Sequence, residues 1–291
     1  MTPTSVVVVK IGGGEGVDPA PVLQDLAALL RPPPNASAPR LRFVVVHGTS
    51  DAATRLQKAL GREPRFVTSV SGHTSRFTDA ADMEIVTMAA AGYNASLVGR
   101  LQALGVDAVG LTGLDGRLLS GRRKDSIRAV VDGKQVVVRG DHSGVVERVN
   151  ARLLRTLLDA GHVPVVTLPA LADDGTAVNV DADRAGAAVA GALGAAAYVI
   201  LTNVPGLLRD KADPASLVRE VPPELMAEAE RLAEGRFKKK VLAAREALAG
   251  GVARVVVAGT AVERPVSAAL AGEGTVFGPA SAREVPAGTI R

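Results

Sequence analysis

Cysteine and tryptophan are absent from this 291-residue chain, and aromatic residues make up only 2% of it. Without cysteine there can be no disulfide and no thiolate catalysis, which fits a reducing compartment such as the cytoplasm. Hydrophobic residues nevertheless reach 47%, so the core must be built from valine, leucine, isoleucine and alanine. A chain of this length and composition predicts one large domain or two closely joined lobes.

No hydrophobic segment is long enough to predict a membrane span. The apolar run Val6–Val9 is too short for a signal peptide. Residues 185–201 carry no charge, but they are mostly alanine and glycine, whereas a span needs about 20 strongly apolar residues. We interpret this segment as a buried helix followed by a strand, and we expect no association with a membrane.

Several common catalytic motifs are also missing. The chain has no P-loop pattern, and Gly12, Gly13, Gly14 and Gly16 do not complete the G-x-G-x-x-G pattern of dinucleotide-binding folds. Its four histidines show no spacing typical of a metal site. These absences argue against a P-loop enzyme, a dehydrogenase and a metal-dependent hydrolase, and no metal-binding residue is predicted.

Positive charge is concentrated in one stretch of the chain. The net charge is +4, but residues 117–139 contain seven basic and two acidic residues, so the remainder carries −1. A single-stranded nucleic-acid surface would interleave aromatic residues with the basic ones, and this stretch contains no aromatic residue. It therefore predicts a local basic patch and not a nucleic-acid-binding surface.

Short β-branched runs alternate with segments of helical periodicity. This alternation predicts an α/β fold with a mostly parallel central sheet and helices on both faces. The predicted strands are Val6–Val9, Phe43–Val46, Ala108–Leu111, Val163–Thr167, Tyr198–Leu201 and Val255–Val257, and the predicted helices are Val22–Leu30, Ala52–Leu60, Met83–Leu104, Val149–Ala160, Ala182–Leu193 and Glu224–Leu248. In such sheets, ligands bind beyond the carboxyl ends of the strands.

Two stretches interrupt the alternation. Arg31–Arg40 is proline-rich and predicts a surface linker. Leu118–Val138 contains two extended runs around Asp132–Gly133, which predicts a β-hairpin that carries the basic patch. A boundary near residue 170 would divide the chain into two lobes, residues 1–170 and 171–291.

Polar residues and glycines follow the predicted strands. Lys10 and Gly12–Gly14 come after the first strand, and His47–Ser50 after the second. Glycines there allow backbone N–H groups to approach phosphate oxygens, although an ordinary turn or a helix cap would explain either segment. Other candidates are Arg76, Asn179–Asp183, Thr202–Leu207 and Gly235–Lys240; taken singly, a surface arginine, a helix cap, a turn and a solvated helix face would account for them.

Six short motifs occur in a fixed order along the chain, and together they are specific enough to indicate a protein family. They are K-I-G-G, H-G-x-S, S-R-x-T-D, N-V-x-A-D, N-V-P-G-L and a late G-x-x-x-x-K. With them the chain resembles the amino acid kinase family, and within it the acetylglutamate kinase group, over essentially its whole length. The resemblance implies a three-layer α/β/α sandwich of the carbamate kinase-like fold. It also implies that residues 1–170 bind an acyl-amino acid and form a dimer, and that residues 171–291 bind ATP.

The resemblance further implies a role for each motif residue. Lys10 and Lys240 would flank the transferred γ-phosphoryl group, and Asp183 would hold both lysines. The substrate-binding residues would be Thr49, Ser50, Arg76 and Asn179, with Arg76 on the α-carboxylate. The nucleotide-binding residues would be Gly12, Gly13, Asn203, Gly206 and Leu208, with the N–H groups of Gly12 and Gly13 on the phosphates. ATP would bring Mg²⁺ held mainly by its phosphates.

A narrower resemblance comes from residues 110–117 and the basic hairpin. They are similar to the branch that phosphorylates α-aminoadipate on a small acidic amino-group carrier protein in bacterial lysine biosynthesis. Arg122, Arg123 and Lys124 would dock that carrier. Thr49 stands where acetylglutamate kinases usually have a third glycine, in the expected substrate site, which favours the carrier hypothesis. Asn203 stands where they usually have an aspartate, which would affect only nucleotide contacts.

Alternatives to the carrier hypothesis remain open at this point. Acetylglutamate kinase of arginine biosynthesis is the main one, and a non-catalytic amino acid-binding regulator is a remote one. A regulator would have lost a catalytic lysine, but Lys10 and Lys240 are both present. Because the first strand starts by residue 6, without the extra N-terminal helix of the hexameric relatives, we expect a homodimer.

Overall fold

The computed structural model describes residues 5–31, 41–70, 72, 74–124, 126–131 and 134–279. Most of the predicted linker Arg31–Arg40 and the predicted turn Asp132–Gly133 lie outside the described residues.

Sixteen strands and eight α-helices are found in the described part of the chain. The strands are β1 (Ser5–Ile11), β2 (Leu41–His47), β3 (Arg65–Thr68), β4 (Thr74–Phe77), β5 (Ala108–Thr112), β6 (Leu119–Arg123), β7 (Ser126–Val131), β8 (Lys134–Arg139), β9 (Gly144–Val149), β10 (Val163–Thr167), β11 (Ala170–Ala172), β12 (Ala177–Val178), β13 (Ala197–Thr202), β14 (Glu220–Val221), β15 (Val255–Gly259) and β16 (Thr275–Phe277). The helices are α1 (Ala20–Leu30), α2 (Ser50–Ala59), α3 (Ala80–Ala103), α4 (Ala151–Asp159), α5 (Ala182–Leu193), α6 (Met226–Leu232), α7 (Phe237–Ala249) and α8 (Pro265–Ala271).

The central sheet has eight strands in the order β14-β16-β15-β13-β1-β2-β10-β5. Every neighbouring pair is parallel except β15 and β16. All six predicted strands belong to this sheet, and residues 185–201 form most of α5 and then β13, as predicted. The four strands that precede residue 170 form one half of the sheet and the four that follow it form the other.

Alternating side chains of the central strands enter two separate cores. Val8 and Val44 pack with α4, α5 and α7 on one face, whereas Val7 and Phe43 pack with α1, α3 and α8 on the other. This alternation follows from the two-residue period of a strand. Near-continuous valine runs are buried on both faces, as parallel sheets require. The predicted three-layer α/β/α architecture is therefore confirmed.

The hairpin prediction for Leu118–Val138 is only partly correct. β7 and β8 pair as an antiparallel hairpin, but β6 does not join them. Instead β6 pairs with β9 and β11 in a separate four-stranded sheet of order β12-β11-β6-β9. A third, two-stranded sheet is formed by β3 and β4, and the Val70 N–H donates to the Arg128 carbonyl at 3.0 Å, which joins it to β7.

The predicted helix Glu224–Leu248 is two helices, α6 and α7. Gly235 lies between them with a φ of +52°, a left-handed conformation that favours glycine and ends regular helix. The break allows α7 to begin beside the carboxyl ends of the central strands. Within the described ranges, no helix is both long and apolar enough to cross a bilayer.

Candidate active site

A cleft of about 750 Å³ opens at the carboxyl ends of β1, β2 and β13. Because parallel strands end at the same edge of a sheet, the loops that follow these strands meet there. Every residue predicted to be catalytic, substrate-binding or nucleotide-binding lines this cleft. These residues are Lys10, Gly12, Gly13, Thr49, Ser50, Arg76, Asn179, Asp183, Asn203, Gly206, Leu208 and Lys240.

Asp183 forms ion pairs with two lysines from different elements. Its Oδ1 lies 2.6 Å from Lys10 Nζ, and its Oδ2 accepts a hydrogen bond from Lys240 Nζ at 3.0 Å. All three side chains are buried. Strand alternation explains the direction of Lys10: like Val8 it faces α5 and α7, whereas Val9 faces the opposite core.

The charges of this cluster favour an ionised carboxylate. Burial alone would raise the pKa of Asp183, but Lys10 and Lys240 outweigh burial and hold that pKa below its usual range. Burial lowers the pKa of Lys10, and Asp183 opposes that shift. One carboxylate therefore balances two buried cations. The remaining positive charge suits an anionic group such as a phosphoryl.

The first turn of α5 fixes the backbone of Asp183. The Asp181 side chain caps the helix and accepts hydrogen bonds from the N–H groups of Asp183 and Arg184 at 3.0 and 3.1 Å. The buried Tyr198 hydroxyl donates to the Asp183 carbonyl oxygen at 2.7 Å. The Asp183 carboxylate is therefore held at the N-terminus of a helix, where the helix dipole stabilises negative charge.

The loops after β1 and β2 touch each other through glycine. A side chain on Gly13 would begin 2.0 Å from the carbonyl carbon of Gly48, so only glycine fits. None of the hydrogen bonds among the described residues uses the N–H of Gly13 or Gly14, and such groups can donate to phosphate oxygens. The expectation for Gly12 is wrong, because its N–H donates to the Leu201 carbonyl at 2.9 Å.

His47 connects the end of β2 with α3. Asn94 Nδ2 lies 3.0 Å from His47 Nε2 and also donates to the Val165 carbonyl at 2.9 Å. Because an amide nitrogen only donates, Nε2 accepts and the ring proton is on Nδ1, which lies 3.2 Å from the Gly48 carbonyl oxygen. Burial is the main cause that lowers the pKa of His47 to about 4; the hydrogen bond to Gly48 opposes this shift, and the charge of Lys10 adds a smaller lowering effect. The imidazole is therefore neutral at pH 7.

Arg76 is anchored on α2. Its guanidinium donates to the Ser50 carbonyl at 3.0 Å, to Thr54 Oγ1 at 2.7 Å and to Gln57 Oε1, and it lies 5.1 Å from the centre of the Phe66 ring. Arg76 is buried, yet it takes part in none of the ion pairs formed by the described residues. A buried guanidinium without a carboxylate partner suits an anionic ligand.

Thr49 and Asn179 lie near Arg76 in the same cleft. Thr49 is buried at the N-cap of α2. Asn179 follows β12, and its Nδ2 donates to Thr78 Oγ1 at 3.1 Å. The structure therefore brings together all four residues predicted to bind the acyl-amino acid.

The predicted nucleotide-binding residues Asn203, Gly206 and Leu208 follow β13 in the cleft wall. Asn203 Nδ2 donates to the Glu15 carbonyl at 3.4 Å, which links the loops after β13 and β1. A side chain on Gly206 would begin 2.5 Å from Thr275 Oγ1, so only glycine allows the loop to pass this close to Thr275.

The three residues predicted to dock a carrier protein precede the β7–β8 hairpin in the chain. Arg122 and Arg123 are on β6 and not on the β7–β8 hairpin. Arg122 is exposed and forms an ion pair with Glu147 at 2.8 Å, whereas Arg123 donates to the Asp141 carbonyl at 3.0 Å. Lys124 lines the cleft. The prediction that Arg122 and Arg123 lie on the basic hairpin was wrong, because β6 pairs with β9 and β11 instead.

Two residues that precede Lys240 received no individual role from the sequence but add positive charge to the cleft. Arg236 and Lys239 both line it, at the start of α7. Lys239 forms an ion pair with Asp181 at 3.3 Å. Arg236 precedes Lys240 by four residues, a spacing that places two side chains on one face of a helix. That spacing was the signal that could have identified Arg236.

The family model described as the amino acid kinase family matches residues 5–259. This chain belongs to the amino acid kinase family. Two relatives of this amino acid kinase are named LysW-aminoadipate kinase. The one from Deinococcus radiodurans is 51% identical over 273 residues, 94% of this chain and 91% of the relative. The one from Thermus thermophilus is 47% identical over 273 residues, 93% and 99% of the two chains.

Other relatives of this amino acid kinase carry other names. A protein of Methanopyrus kandleri named acetylglutamate kinase is 40% identical over 217 residues, 74% of this chain and 84% of that protein. The structure of N-acetylglutamate synthase from Neisseria gonorrhoeae, complexed with coenzyme A and N-acetyl-glutamate, matches with a TM-score of 0.70 at 25% identity. The match covers 94% of this chain but 59% of the synthase.

Carbamate kinase from Giardia lamblia bound to AMP-PNP matches this amino acid kinase with a TM-score of 0.61 at 14% identity, covering 96% of this chain and all of that chain (100%). At this identity the likeness concerns the fold alone. It confirms the predicted carbamate kinase-like fold.

Proposed function

We propose that this amino acid kinase transfers the γ-phosphoryl group of ATP to the side-chain carboxylate of α-aminoadipate bound to LysW, a small acidic amino-group carrier protein, in lysine biosynthesis. The observation that carries the proposal is the buried cluster in which Asp183 holds Lys10 and Lys240 at one end of the cleft. The names of relatives at 51% and 47% identity support the choice of acceptor.

The cluster suits phosphoryl transfer to a carboxylate. A carboxylate is already ionised at pH 7, so it needs no general base, and His47, whose pKa the charge of Lys10 helps to lower, is neutral. A carboxylate oxygen forms a bond to the γ-phosphorus while the bond from that phosphorus to ADP breaks, and its electron pair leaves on ADP. Lys10 and Lys240 stabilise the negative charge that moves during this step, which positioning and electrostatics can catalyse without a covalent intermediate.

Each end of the cleft fits one substrate. Thr49, Ser50, Arg76 and Asn179 would bind the acyl-amino acid, with Arg76 on its α-carboxylate. Gly13, Gly14, Asn203, Gly206 and Leu208 would bind ATP, the glycines through their N–H groups. Residues 1–170 thus supply most of the acceptor site, and residues 171–291 supply most of the nucleotide site.

Mg²⁺ fits this cleft only as part of the nucleotide complex. The described residues contain no group of three histidine, cysteine, aspartate or glutamate side chains that could hold a metal ion, and both oxygens of Asp183 already contact lysine. When bound through the phosphates of ATP, the ion would supply further charge neutralisation.

The β7–β8 hairpin is the surface that we propose for docking the carrier, in place of the sequence-predicted triplet. One face of the hairpin carries Arg128, Val130, Val137 and Arg139, which are exposed, and the opposite face carries Ile127, which lines the cleft. A protein docked on the outer face would lie beside the cleft mouth. Mixed apolar and basic side chains suit a partner with an acidic surface.

We also propose that two copies of the chain pair through α3. One stripe of this 24-residue helix exposes Met88, whose side chain is 54% accessible, and the small residues Ala91, Gly92, Ala95, Ser96 and Gly99. The spacing of three or four residues places them in one row. Small side chains would let an identical helix approach closely.

Trapping of the acyl phosphate as a hydroxamate tests the proposed function. We expect ATP-dependent hydroxamate with LysW-bound aminoadipate, and little with free N-acetylaminoadipate or free N-acetylglutamate. Lys240→Ala is the blank, and its kcat should be about 100-fold lower because one transition-state charge contact is lost. Efficient turnover of free N-acetylglutamate alone would contradict the proposal and indicate an acetylglutamate kinase.

A further inference from the structure

Arg236 lies beside the glycine loop that follows β1. Its Nη1 is 3.2 Å from the point where a side chain on Gly14 would begin, and the residue lines the cleft. Its neighbours Lys239 and Lys240 form ion pairs with Asp181 and Asp183. Arg236 forms no ion pair with any of the described residues. The guanidinium therefore lines the cleft without an ion-pair partner among the described residues.

Arg236 also lies within electrostatic range of Arg76. Burial is the main cause of the lowered pKa of Arg76, and the charge of Arg236 lowers it further while Asp82 opposes both. Arg76 lies on β4 and its guanidinium donates to α2, whereas Arg236 precedes α7, so the two guanidinium groups come from segments on opposite sides of residue 170. Two like charges held close together are stabilised when an anion binds between them.

The start of α7 places Arg236 and Lys240 on the same side of the helix. Helical residues four apart lie on the same face, and Lys240 is already fixed by Asp183 at 3.0 Å. Arg236 is one turn nearer the N-terminus of α7 than Lys240, is exposed, and lines the same cleft next to Gly14, one of the proposed phosphate donors.

We propose that Arg236 is a further catalytic residue, which contacts the γ-phosphoryl group while it passes from ATP to the acceptor carboxylate. This inference rests on the phosphoryl transfer proposed above and adds a third cation to it. As the bond between the γ-phosphorus and the acceptor oxygen forms and the bond to ADP breaks, no proton moves. The planar guanidinium presents two N–H groups in a fixed geometry that can bind two phosphoryl oxygens at once, whereas a lysine ammonium acts as a point charge.

Steady-state kinetics of Arg236→Gln and Arg236→Lys test this role with LysW-bound aminoadipate as acceptor. An interaction made only in the transition state lowers kcat and kcat/KM together. We expect Arg236→Gln to lower kcat about 100-fold with the KM of each substrate within about threefold. The kcat of Arg236→Lys should lie between those of wild type and Arg236→Gln, because lysine keeps the positive charge but lacks the two-donor geometry of the guanidinium. Arg231→Gln, on α6 outside the cleft lining, is the matched control and should behave as wild type.

The outcomes separate this inference from the proposed function. If the wild-type enzyme forms no acyl phosphate with any acceptor, both are overturned. If the wild type is active and Arg236→Gln keeps its kcat within about threefold, only the role of Arg236 is overturned. A loss confined to the KM of ATP or of the carrier would also overturn it, because Arg236 would then bind a substrate without acting in the transition state. A wild-type melting temperature for Arg236→Lys, together with reduced kcat, would support the proposal independently of folding.

Discussion

Buried single residues define the chemistry of this cleft. Asp183 is the only carboxylate, among the described residues, that contacts both Lys10 and Lys240. Removing one partner of such a buried cluster leaves an uncompensated charge, so each member depends on the other two. The fold makes this mutual stabilisation possible, because it brings together three residues that are far apart in the sequence.

His47 provides a prediction on pH at the residue scale. Its pKa falls from 6.5 to about 4 on folding, so the unfolded chain binds a proton that the folded chain refuses between these values. The stabilising contribution is therefore complete above about pH 6.5 and is lost progressively as the pH falls from about 6.5 to about 4, a total loss of about 3 kcal/mol.

Urea denaturation of wild type and His47→Gln from pH 8 to pH 4 measures this contribution. Glutamine keeps a donor and an acceptor but does not titrate. We expect the free energy of unfolding of the wild type to fall more steeply below pH 6.5 than that of His47→Gln. The carboxylates titrate equally in both proteins, so the difference between the two curves reports on His47. Parallel curves would show that His47 keeps its ordinary pKa.

At the scale of elements, the β7–β8 hairpin stands apart from the central sheet. Its inner face contributes Ile127 to the cleft, and Val70 and Arg128 join it to the β3–β4 hairpin. Two small hairpins therefore border the cleft near Arg76. Loops and hairpins on a rigid sheet are common places for partner recognition.

The docking prediction belongs to this hairpin. Arg128→Glu combined with Arg139→Glu should lower kcat/KM for LysW-bound aminoadipate at least about tenfold, or about 1.4 kcal/mol, because opposite charges steer association. The wild-type rate should decline as salt rises. Lys58→Glu combined with Arg231→Glu changes the net charge equally on α2 and α6 and serves as the control. An equal loss in both double variants would remove the hairpin from the docking surface.

The whole-molecule prediction concerns assembly. Light scattering should give twice the 29.7 kDa of one chain. Ala95→Glu places a charge in the middle of the exposed stripe of α3 and should shift the protein towards a monomer, because burying an unpaired carboxylate is costly. Ala249→Glu, on an exposed part of α7, should leave the mass unchanged. A wild-type mass of one chain, or a dimer that survives Ala95→Glu, would contradict pairing through α3.

The course of the central sheet could be predicted from the sequence because its information is local. Valine runs such as Val6–Val9 and Val163–Thr167 specify buried strands by composition, and the two-residue period sets the direction of Lys10. Capping by Asp181 and the position of Asp183 in the first turn of α5 are also local. Lys10, Thr49 and Asn203 of the cleft followed from strand ends, since a parallel sheet collects those ends at one edge, whereas the roles of Arg76, Asn179 and Lys240 came from the family resemblance.

Features that depend on contacts between distant segments could not be predicted from the sequence. β6 carries Arg122 and Arg123 into a sheet with β9 and β11, and nothing local in residues 119–123 selects those partners over the adjacent hairpin. The Gly12 N–H donates a hydrogen bond to the carbonyl oxygen of Leu201, which is about 190 residues away in the chain. Arg236 reaches the cleft only because α7 packs against α5. The sequence by itself determined the elements, their buried faces and the residues at the strand ends; the tertiary structure alone decided the partners of those residues, because hydrogen bonds and charges across the fold depend on contacts between distant segments.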